Sequence, residues 1–279
     1  HMGEIEALCE VSMPTHGIIT SIGTAHIEGF GSFENIRKAK SELYRSLRQN
    51  NGTAIYNDDN PVLCELVTGM INTVPYSAPG GHTLSATPAG DDTMLLNVKA
   101  VIDGKDYYFQ TGLFGSYNID NVRAAMAAGL LFGVPVSEII DAVSSYRPSN
   151  NRSQVTETGR NTVIRDAYNA NPSSMEMAIA SFASLKAEKK MVILGDMLEL
   201  GSETAKGHAA VISQLRNAGE IMVVLVGPRF REAAADFPAT FFGSSEAAAE
   251  WLRSERPEGY TILVKGSRGI MLEKVFPLL

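Results

Sequence analysis

The segment TVIRDAYNANPSSMEMAIASFASL, residues 162–185, joins a short apolar run to a stretch in which apolar residues recur every three or four positions. This change of period predicts a buried strand followed by a helix. The alternation continues to the C-terminus, with strands predicted at 162–166, 191–194, 221–226, 240–242 and 261–264, and helices at 173–185, 202–218, 229–237 and 245–254. Because a helix lies between each pair of neighbouring strands, the pattern predicts an α/β domain with a mostly parallel, doubly wound, Rossmann-like sheet. Ligands of such sheets bind at the carboxyl ends of the strands.

The first half of the chain predicts a mixed sheet with helices. Strands are predicted at 17–22 and 53–56, helices at 32–47, 61–68, 119–132 and 137–146, and a hairpin at 93–110 around Asp103-Gly104. Residues 147–153 are rich in Asn and Ser and form the natural linker, so we place a domain boundary near residue 155. The two expected domains are residues 3–154 and 155–279, in agreement with a length of 279 residues.

Composition and charge exclude several classes of protein. A formal net charge of -7 without a basic cluster argues against nucleic-acid binding, and the longest uncharged apolar stretch, residues 124–136, is too short to insert into a membrane. Cys9 and Cys64 are the two cysteines and predict neither a disulfide framework nor a zinc ribbon, so a cytoplasmic protein is expected. We interpret His1-Met2 as a remnant of cloning and expect the natural start upstream.

Lys40 is the first candidate for a functional residue. In the predicted helix the apolar stripe is Phe33, Ile36, Leu43 and Leu47, and Lys40 occupies the position that completes its spacing. Two interpretations are open at this point. The lysine either extends its ammonium to water from the edge of the stripe, or it has a chemical function.

Two further candidates lie in the motifs SIGTAHIEGFG, residues 21–31, and GSYNIDN, residues 115–121. His26 follows a predicted strand in a glycine-flanked loop, where it is either merely exposed or close to a ligand. Asn118 is placed to cap the following helix, and Asn121 lies on the same side. Capping alone would explain Asn118, whereas a carboxamide also offers the paired donor and acceptor that read an adenine edge.

Three motifs follow predicted strands in the second half: DAYNANPSSM (166–175), GDMLELG (195–201) and KGSRG (265–269). An acid at a strand end suits ribose hydroxyls and a helix N-terminus suits phosphate, but Asn and Ser before a helix are also ordinary capping residues. The cations of KGSRG form either a grip for carboxylate or phosphate, or a solvated turn. The sequence has no GxxxxGK[ST] phosphate-binding loop.

Taken in order with AKSEL (39–43) and YNDDNP (56–61), these motifs resemble those of the Mur ligases. DAYNANPSSM and GDMLELG resemble the branch of that family that adds D-alanyl-D-alanine to UDP-N-acetylmuramoyl-tripeptide, rather than the branches that add single amino acids. The resemblance covers residues 3–279. It implies that residues 3–154 are the C-terminal part of the central ATPase domain and that residues 155–279 are the C-terminal Rossmann-like domain. The family's uridine-binding domain, its P-loop and an acidic magnesium ligand would then lie upstream of Gly3.

The resemblance also implies roles for individual residues. Lys40 matches the lysine that the family carbamylates, which gives a carboxylate able to coordinate Mg²⁺, and His26 matches a histidine near a second Mg²⁺. The residues implied to bind ATP are Asn118, Asn121, Arg152, Asp166 and Asn169. The residues implied to lie near the transferred phosphate or to line the peptide side of the site are Asn171, Asp196, Lys265, Ser267 and Arg268.

The implied function is an ATP-dependent amide ligase of peptidoglycan synthesis that works as a cytoplasmic monomer in its full-length form, with this chain inactive alone. The alternatives are another ligase of the Mur and folylpolyglutamate synthase superfamily, and a nucleotide-binding module without catalysis. Dependence of phosphate release on the dipeptide distinguishes the first from the other two.

Overall fold

A computed structural model describes residues 2–23, 27–77, 84–90, 93–234 and 236–279. The chain divides into two compact units. The first unit contains residues 1–90, 96–111 and 118–146, and the second contains residues 91–95, 112–117 and 147–279. The predicted boundary near residue 155 falls at a strand of the second unit, and it stays a prediction.

Helices and strands alternate from Thr162 to the C-terminus, whereas four strands follow one another in the first half of the chain. The helices are α1 Glu4–Ser12, α2 Ile27–Phe30, α3 Phe33–Gln49, α4 Pro61–Val67, α5 Ile119–Leu131, α6 Val136–Ser145, α7 Pro172–Ser184, α8 Thr204–Arg216, α9 Pro228–Ala233 and α10 Ser245–Glu255. The strands are β1 His16–Ile18, β2 Thr53–Asn57, β3 Thr73–Tyr76, β4 Leu84–Pro88, β5 Leu95–Ile102, β6 Lys105–Phe114, β7 Gln154–Glu157, β8 Thr162–Asp166, β9 Lys190–Gly195, β10 Met222–Val226, β11 Thr240–Phe242 and β12 Thr261–Lys265.

The second unit contains the predicted doubly wound sheet. Its strand order is β11-β10-β9-β12-β8-β7, and the five predicted strands pair in parallel. Neighbouring residues of one strand face opposite cores: Val163 packs with α10 and the C-terminal turn, whereas Ile164 packs with α7, α8 and α9. Burial on both faces explains why these strands read as continuous apolar runs. The prediction of an α/β fold with this sheet is confirmed.

Strand β7 was not predicted. It pairs antiparallel with β8 at the sheet edge, with Val155 opposite Ile164. Only partial burial is required of an edge strand, so its sequence QVTE carries no apolar run. Its position directly after residues 147–153 ties the predicted linker to β8.

In the first unit the strands form a parallel sheet, β1-β2-β3, and an antiparallel sheet, β4-β5-β6, and Ser77 forms a β-bridge with Ser85. The predicted hairpin is present, because β5 ends at Ile102 and β6 begins at Lys105. Asp103 and Gly104 between them both have positive φ, 48° and 76°, as a two-residue hairpin turn requires.

Helix α3 packs on the parallel sheet, but not through the whole predicted stripe. Ile36 and Leu47 are buried and Leu43 packs against them, whereas Phe33 is exposed, so its placement on the buried face was wrong. Phe33 is the first residue of the helix, and Tyr44 completes the buried face instead. The sequence patterns also missed α1, β3 and β4; Pro75 within β3 argues against a strand except at a sheet edge, where β3 lies.

In the part of the chain that the structure describes, no helix has both the length and the apolar character needed to cross a membrane.

Candidate functional site

The carboxyl ends of adjacent strands in the second unit bring Asp166 and Lys265 together. The two residues are register partners on β8 and β12, and Lys265 Nζ donates to Asp166 Oδ2 at 2.7 Å. Lys265 is 3% exposed, and its ammonium also donates to the Asn169 carbonyl at 3.3 Å. Asp166 Oδ1 accepts from the Ser153 amide at 3.0 Å. The lysine of KGSRG is therefore buried in an ion pair and is not solvated.

Asn171 has the capping role that its position allowed. Its Oδ1 accepts from the Ser174 amide at 2.9 Å, and Ser174 Oγ accepts in return from the Asn171 amide, which completes a capping box at the start of α7. Asn169 is exposed, and its Oδ1 accepts from the Ala170 amide at 2.8 Å. Of these two asparagines, the structure therefore leaves Asn169 the more accessible to a ligand.

Asp196, at the end of β9, caps helix α9. Its Oδ2 accepts from the Arg229 amide at 3.0 Å and its Oδ1 from the Phe230 amide at 2.9 Å. Gly227, the residue before α9, has φ +120°, and a Cβ there would lie 2.3 Å from the Asp196 carboxyl group. Asp196 is 1% exposed, so it organises the loop, and its predicted contact with substrate stays a prediction.

The GDMLELG segment is fixed by two further side chains. His208, on α8, accepts from the Met197 amide at Nε2 and donates from Nδ1 to the Thr204 carbonyl, so the ring is the neutral Nδ1–H form. Burial lowers the pKa of His208, in opposition to the nearby Asp196 carboxylate. Ser267 Oγ accepts from the Leu198 amide at 2.9 Å. Residues 196–198 are thus held from α8 and from the loop after β12.

Arg152 and Arg268 both lie over the ring of Tyr168. The guanidinium carbon of Arg152 is 3.8 Å from the ring centroid and that of Arg268 is 5.6 Å from it. Both arginines are exposed, and Tyr168 is 37% exposed. The family resemblance implied roles for the two arginines but not for Tyr168. Its signal was an aromatic residue two positions after the end of a strand, where an apolar side chain has no core to enter.

Lys40, in the first unit, is half-buried. Its Nζ donates to the Ser21 carbonyl at 2.8 Å, and burial lowers the pKa of the amine. It lies next to the buried Ala39, at the margin of the helix face that covers the sheet. His26 lies outside the described residues, so its predicted role stays a prediction.

Asn118 and Asn121 contact each other. Asn118 Oδ1 accepts from Asn121 Nδ2 at 2.9 Å, and the Asn118 side chain makes no capping bond although the residue precedes α5. The capping interpretation of Asn118 was therefore wrong, because its φ and ψ of -79° and -1° are already helical. The contact leaves Asn121 Oδ1 outside this pair.

Arg123, one turn further along α5, was not predicted. It is buried, and it donates to the Ala86 carbonyl at 2.7 Å and to Asp120 Oδ1 at 2.7 Å, with Asp59 Oδ2 3.4 Å away. It thereby ties the first turn of α5 to β4 and to the YNDDNP segment. An arginine among Val122, Ala124 and other small apolar residues was the available signal.

The described residues contain no cluster of three or more His, Cys, Asp or Glu side chains suited to a metal ion. Mg²⁺ is usually held by one or two carboxylates together with phosphate oxygens and water. A carbamate on Lys40 would supply one such group, so the residues present fit a shared Mg²⁺ site rather than an all-protein one.

Comparisons with known proteins cover nearly the whole chain. A family model described as the Mur ligase middle domain matches residues 1–129, and one described as the Mur ligase glutamate ligase domain matches residues 151–268. Relatives named UDP-N-acetylmuramoyl-tripeptide–D-alanyl-D-alanine ligase are 29% identical in both Bacillus subtilis and Escherichia coli. The alignments cover 98% and 99% of this chain but 61% and 62% of the relatives. The chain thus spans about three fifths of the length of these curated relatives.

Solved structures give the same result. MurF from Acinetobacter baumannii is 26% identical, with a TM-score of 0.85 over 99% of this chain and 62% of that one. MurF from Thermotoga maritima, determined in complex with ADP, is 22% identical with a TM-score of 0.86 over 100% of this chain and 64% of that one, and shows the shared fold. Two family models matched in order on one chain, with these relatives and folds, lead to one conclusion: the chain belongs to the Mur ligase family.

Proposed function

We propose that the protein containing this chain is an ATP-dependent amide ligase that joins D-alanyl-D-alanine to UDP-N-acetylmuramoyl-tripeptide during peptidoglycan synthesis. The observation that carries the proposal is the alignment of 98% of the chain with the B. subtilis enzyme of that name. The chain corresponds to about three fifths of that enzyme, so it supplies part of the catalytic machinery.

The proposed reaction has two steps. A carboxylate oxygen of the tripeptide attacks the γ-phosphorus of ATP, the bond to the β,γ-bridging oxygen breaks, and an acyl phosphate and ADP result. The amine of D-alanyl-D-alanine then attacks the acyl carbon, loses a proton, and displaces phosphate to leave an amide. Since the transferred phosphoryl group is highly charged, positioning and charge neutralisation supply most of the rate enhancement.

We assign Lys40 to metal binding in its carbamylated form. The neutral amine attacks CO₂ and loses a proton, so a lowered pKa of Lys40 favours the reaction by increasing the neutral fraction. The carbamate oxygens would hold Mg²⁺ together with His26, and the metal would neutralise charge on the phosphates of ATP.

The remaining residues are assigned by motif and supported by their surroundings. Asn118 and Asn121 form an amide pair suited to adenine. Arg152, Asp166 and Asn169 are proposed to approach the phosphates and ribose. The residues proposed for the transferred phosphate and the peptide are Asn171, Asp196, Lys265, Ser267 and Arg268. Asp166, Asp196 and Lys265 are also hydrogen-bonded within the protein, so in addition to these roles we propose that they hold the loops that carry the exposed residues.

The test is phosphate release from Mg-ATP with UDP-N-acetylmuramoyl-tripeptide, with and without D-alanyl-D-alanine, by the full-length protein that contains this chain. The 279-residue chain and the full-length Lys40→Ala variant are run in parallel. We expect dipeptide-dependent release by the full-length protein, none by the 279-residue chain, and a rate lowered by about 10²–10³ in Lys40→Ala.

Other outcomes would identify the alternatives. Release that depends on a single amino acid, or on a folate and glutamate, would indicate another ligase of the superfamily. Nucleotide binding without release under any of these conditions would indicate a binding module, and the proposal would be wrong.

A further inference from the structure

We propose that Tyr168 is a positioning residue that holds Arg152 and Arg268 together as one receptor for a phosphate group. The proposal deepens the function proposed above, because both arginines are assigned there to anionic substrates. Tyr168 itself belongs to neither the predicted site nor the buried core, since it is 37% exposed.

The three residues come from three separate loops at the end of the six-stranded sheet where the parallel strands have their carboxyl ends. Arg152 precedes β7, Tyr168 follows β8 by two residues, and Arg268 follows β12 by three. Their chain separations exclude a contact dictated by local sequence. Both guanidinium carbons nevertheless lie within the distance at which a cation is attracted to an aromatic face, 3.8 Å and 5.6 Å from one centroid.

The segment 166–168 fixes Arg152 at both of its ends. Asp166 Oδ1 accepts from the amide of Ser153, the next residue after Arg152, at 3.0 Å, and the ring of Tyr168 contacts its guanidinium group. Ser153 has φ +49°, which sets the direction in which the chain leaves the arginine. A free arginine side chain loses much rotamer entropy when it binds a ligand, and these contacts order the side chain of Arg152 before the ligand arrives.

Arg268 is fixed in a comparable way. The amide of the preceding Ser267 donates to the Asp196 carbonyl at 3.2 Å, and Ser267 Oγ accepts from the Leu198 amide. The backbone of Arg268 is thus set by the loop after β9 and its guanidinium group by Tyr168.

The charge of this surface indicates an anionic ligand. Within the part of the chain that the structure describes, neither Arg152 nor Arg268 forms an ion pair with a carboxylate. Two like charges near one ring repel each other, and the net charge of -7 leaves many carboxylates elsewhere on the chain. Two exposed guanidinium groups without counter-ions form the donor arrangement that binds phosphate oxygens in several-point contacts.

The experiment measures binding of inorganic tripolyphosphate to the 279-residue chain by ¹⁵N–¹H spectra of the arginine Nε–H groups, assigned with Arg152→Lys and Arg268→Lys. In the wild type we expect both resonances to carry a ring-current shift and to move together on titration. Tyr168→Leu is expected to abolish the ring-current shifts and to weaken binding about fivefold, the size of two exposed cation–π contacts. Tyr168→Phe keeps the ring and is expected to behave as the wild type.

Tyr260→Leu is the matched control. Tyr260 lies in the same unit, and Lys189 Nζ is 5.6 Å from the centroid of its ring. Because Tyr260 precedes β12, it lies at the amino-terminal end of the parallel strands, opposite to Tyr168. This variant is expected to bind tripolyphosphate as the wild type does. Equal affinity in Tyr168→Leu and the wild type, or no shift of the two arginine resonances at millimolar tripolyphosphate, would overturn the proposal.

The outcome is separable from that of the ligase assay. If the Arg152 and Arg268 resonances respond to tripolyphosphate but the protein has no ligase activity, the proposed phosphate receptor stands and the proposed reaction is wrong. An active ligase whose arginine resonances ignore Tyr168→Leu would leave the reaction and remove the role of Tyr168.

Discussion

The two units differ in how they use the polar residues that the sequence patterns identified. In the second unit Asp166, Asp196 and Lys265 are buried and hydrogen-bonded: Lys265 to Asp166, and Asp196 to the first turn of α9. The exposed Arg152 contacts Tyr168, two residues after Asp166. In the first unit Lys40 is half-buried and donates to a single carbonyl in the described contacts. A polar residue at a strand end can therefore act mainly on the stability of the loops around it.

The contrast between the two units is tested most strongly at the buried ion pair between Asp166 and Lys265. Lys265→Met leaves the Asp166 carboxylate buried without its partner, and we expect the second unit to lose about 3–5 kcal/mol of unfolding free energy. Urea denaturation followed by the fluorescence of Trp251, the single tryptophan, reports on that unit. Adding Asp166→Asn to Lys265→Met should recover part of the loss.

The exposed pair between Lys206 and Glu203 provides the control, since Lys206→Met is expected to cost under about 0.5 kcal/mol. Equal losses in Lys265→Met and Lys206→Met would show that burial does not distinguish the two pairs.

Lys40→Ala should affect activity rather than stability. We expect kcat/KM of the full-length protein to fall by about 10²–10³, the loss typical of one electrostatic partner of a transition state, with the unfolding free energy changed by about 1 kcal/mol or less because one hydrogen bond is lost. A small carboxylate added to the assay should restore part of the rate. An unchanged rate would remove the carbamate role, and Lys38→Ala on the exposed side of α3 is the matched control.

Gly227→Ala tests the loop that Asp196 organises. The new Cβ would lie 2.3 Å from the Asp196 carboxyl group at φ +120°, so we expect a loss of about 2–3 kcal/mol in the same Trp251 assay. Gly259 also has positive φ, 77°, but its Cβ would meet only Lys189 Nζ at 4.0 Å, and Gly259→Ala should cost about 1 kcal/mol. If the two variants lose the same amount, backbone conformation alone accounts for Gly227.

The smallest expected effect is a pH dependence from His208. Its pKa is lowered in the folded state by burial, so below the unfolded value of about 6.5 the unfolded chain binds more protons and stability falls with falling pH. Between pH 6.5 and 5.5 the loss attributable to His208 should be at most about 1 kcal/mol. His208→Gln should flatten the stability profile in this range.

Prediction succeeded where local pattern and burial agree. Strands β8 and β11 were predicted with their observed bounds because their flanking residues change period abruptly, and the Asp103-Gly104 turn was predicted from its need for positive φ. Prediction failed at β3, whose Pro75 is tolerated only at an edge, and at Phe33, whose exposure depends on where α3 meets the sheet. These features depend on neighbours that sequence spacing does not contain.

The sequence by itself determined the alternating α/β architecture, the family motifs and most of the residues at the strand ends, because period, turn chemistry and motif order are local properties. Only the tertiary structure decided which of those residues are buried and bonded and which stay exposed. Asp166 meets Lys265 because β8 and β12 are neighbours in the sheet although 99 residues separate them. Tyr168 contacts two arginines for the same reason: strand order, and not distance along the chain, determines which loops lie side by side at one end of the sheet.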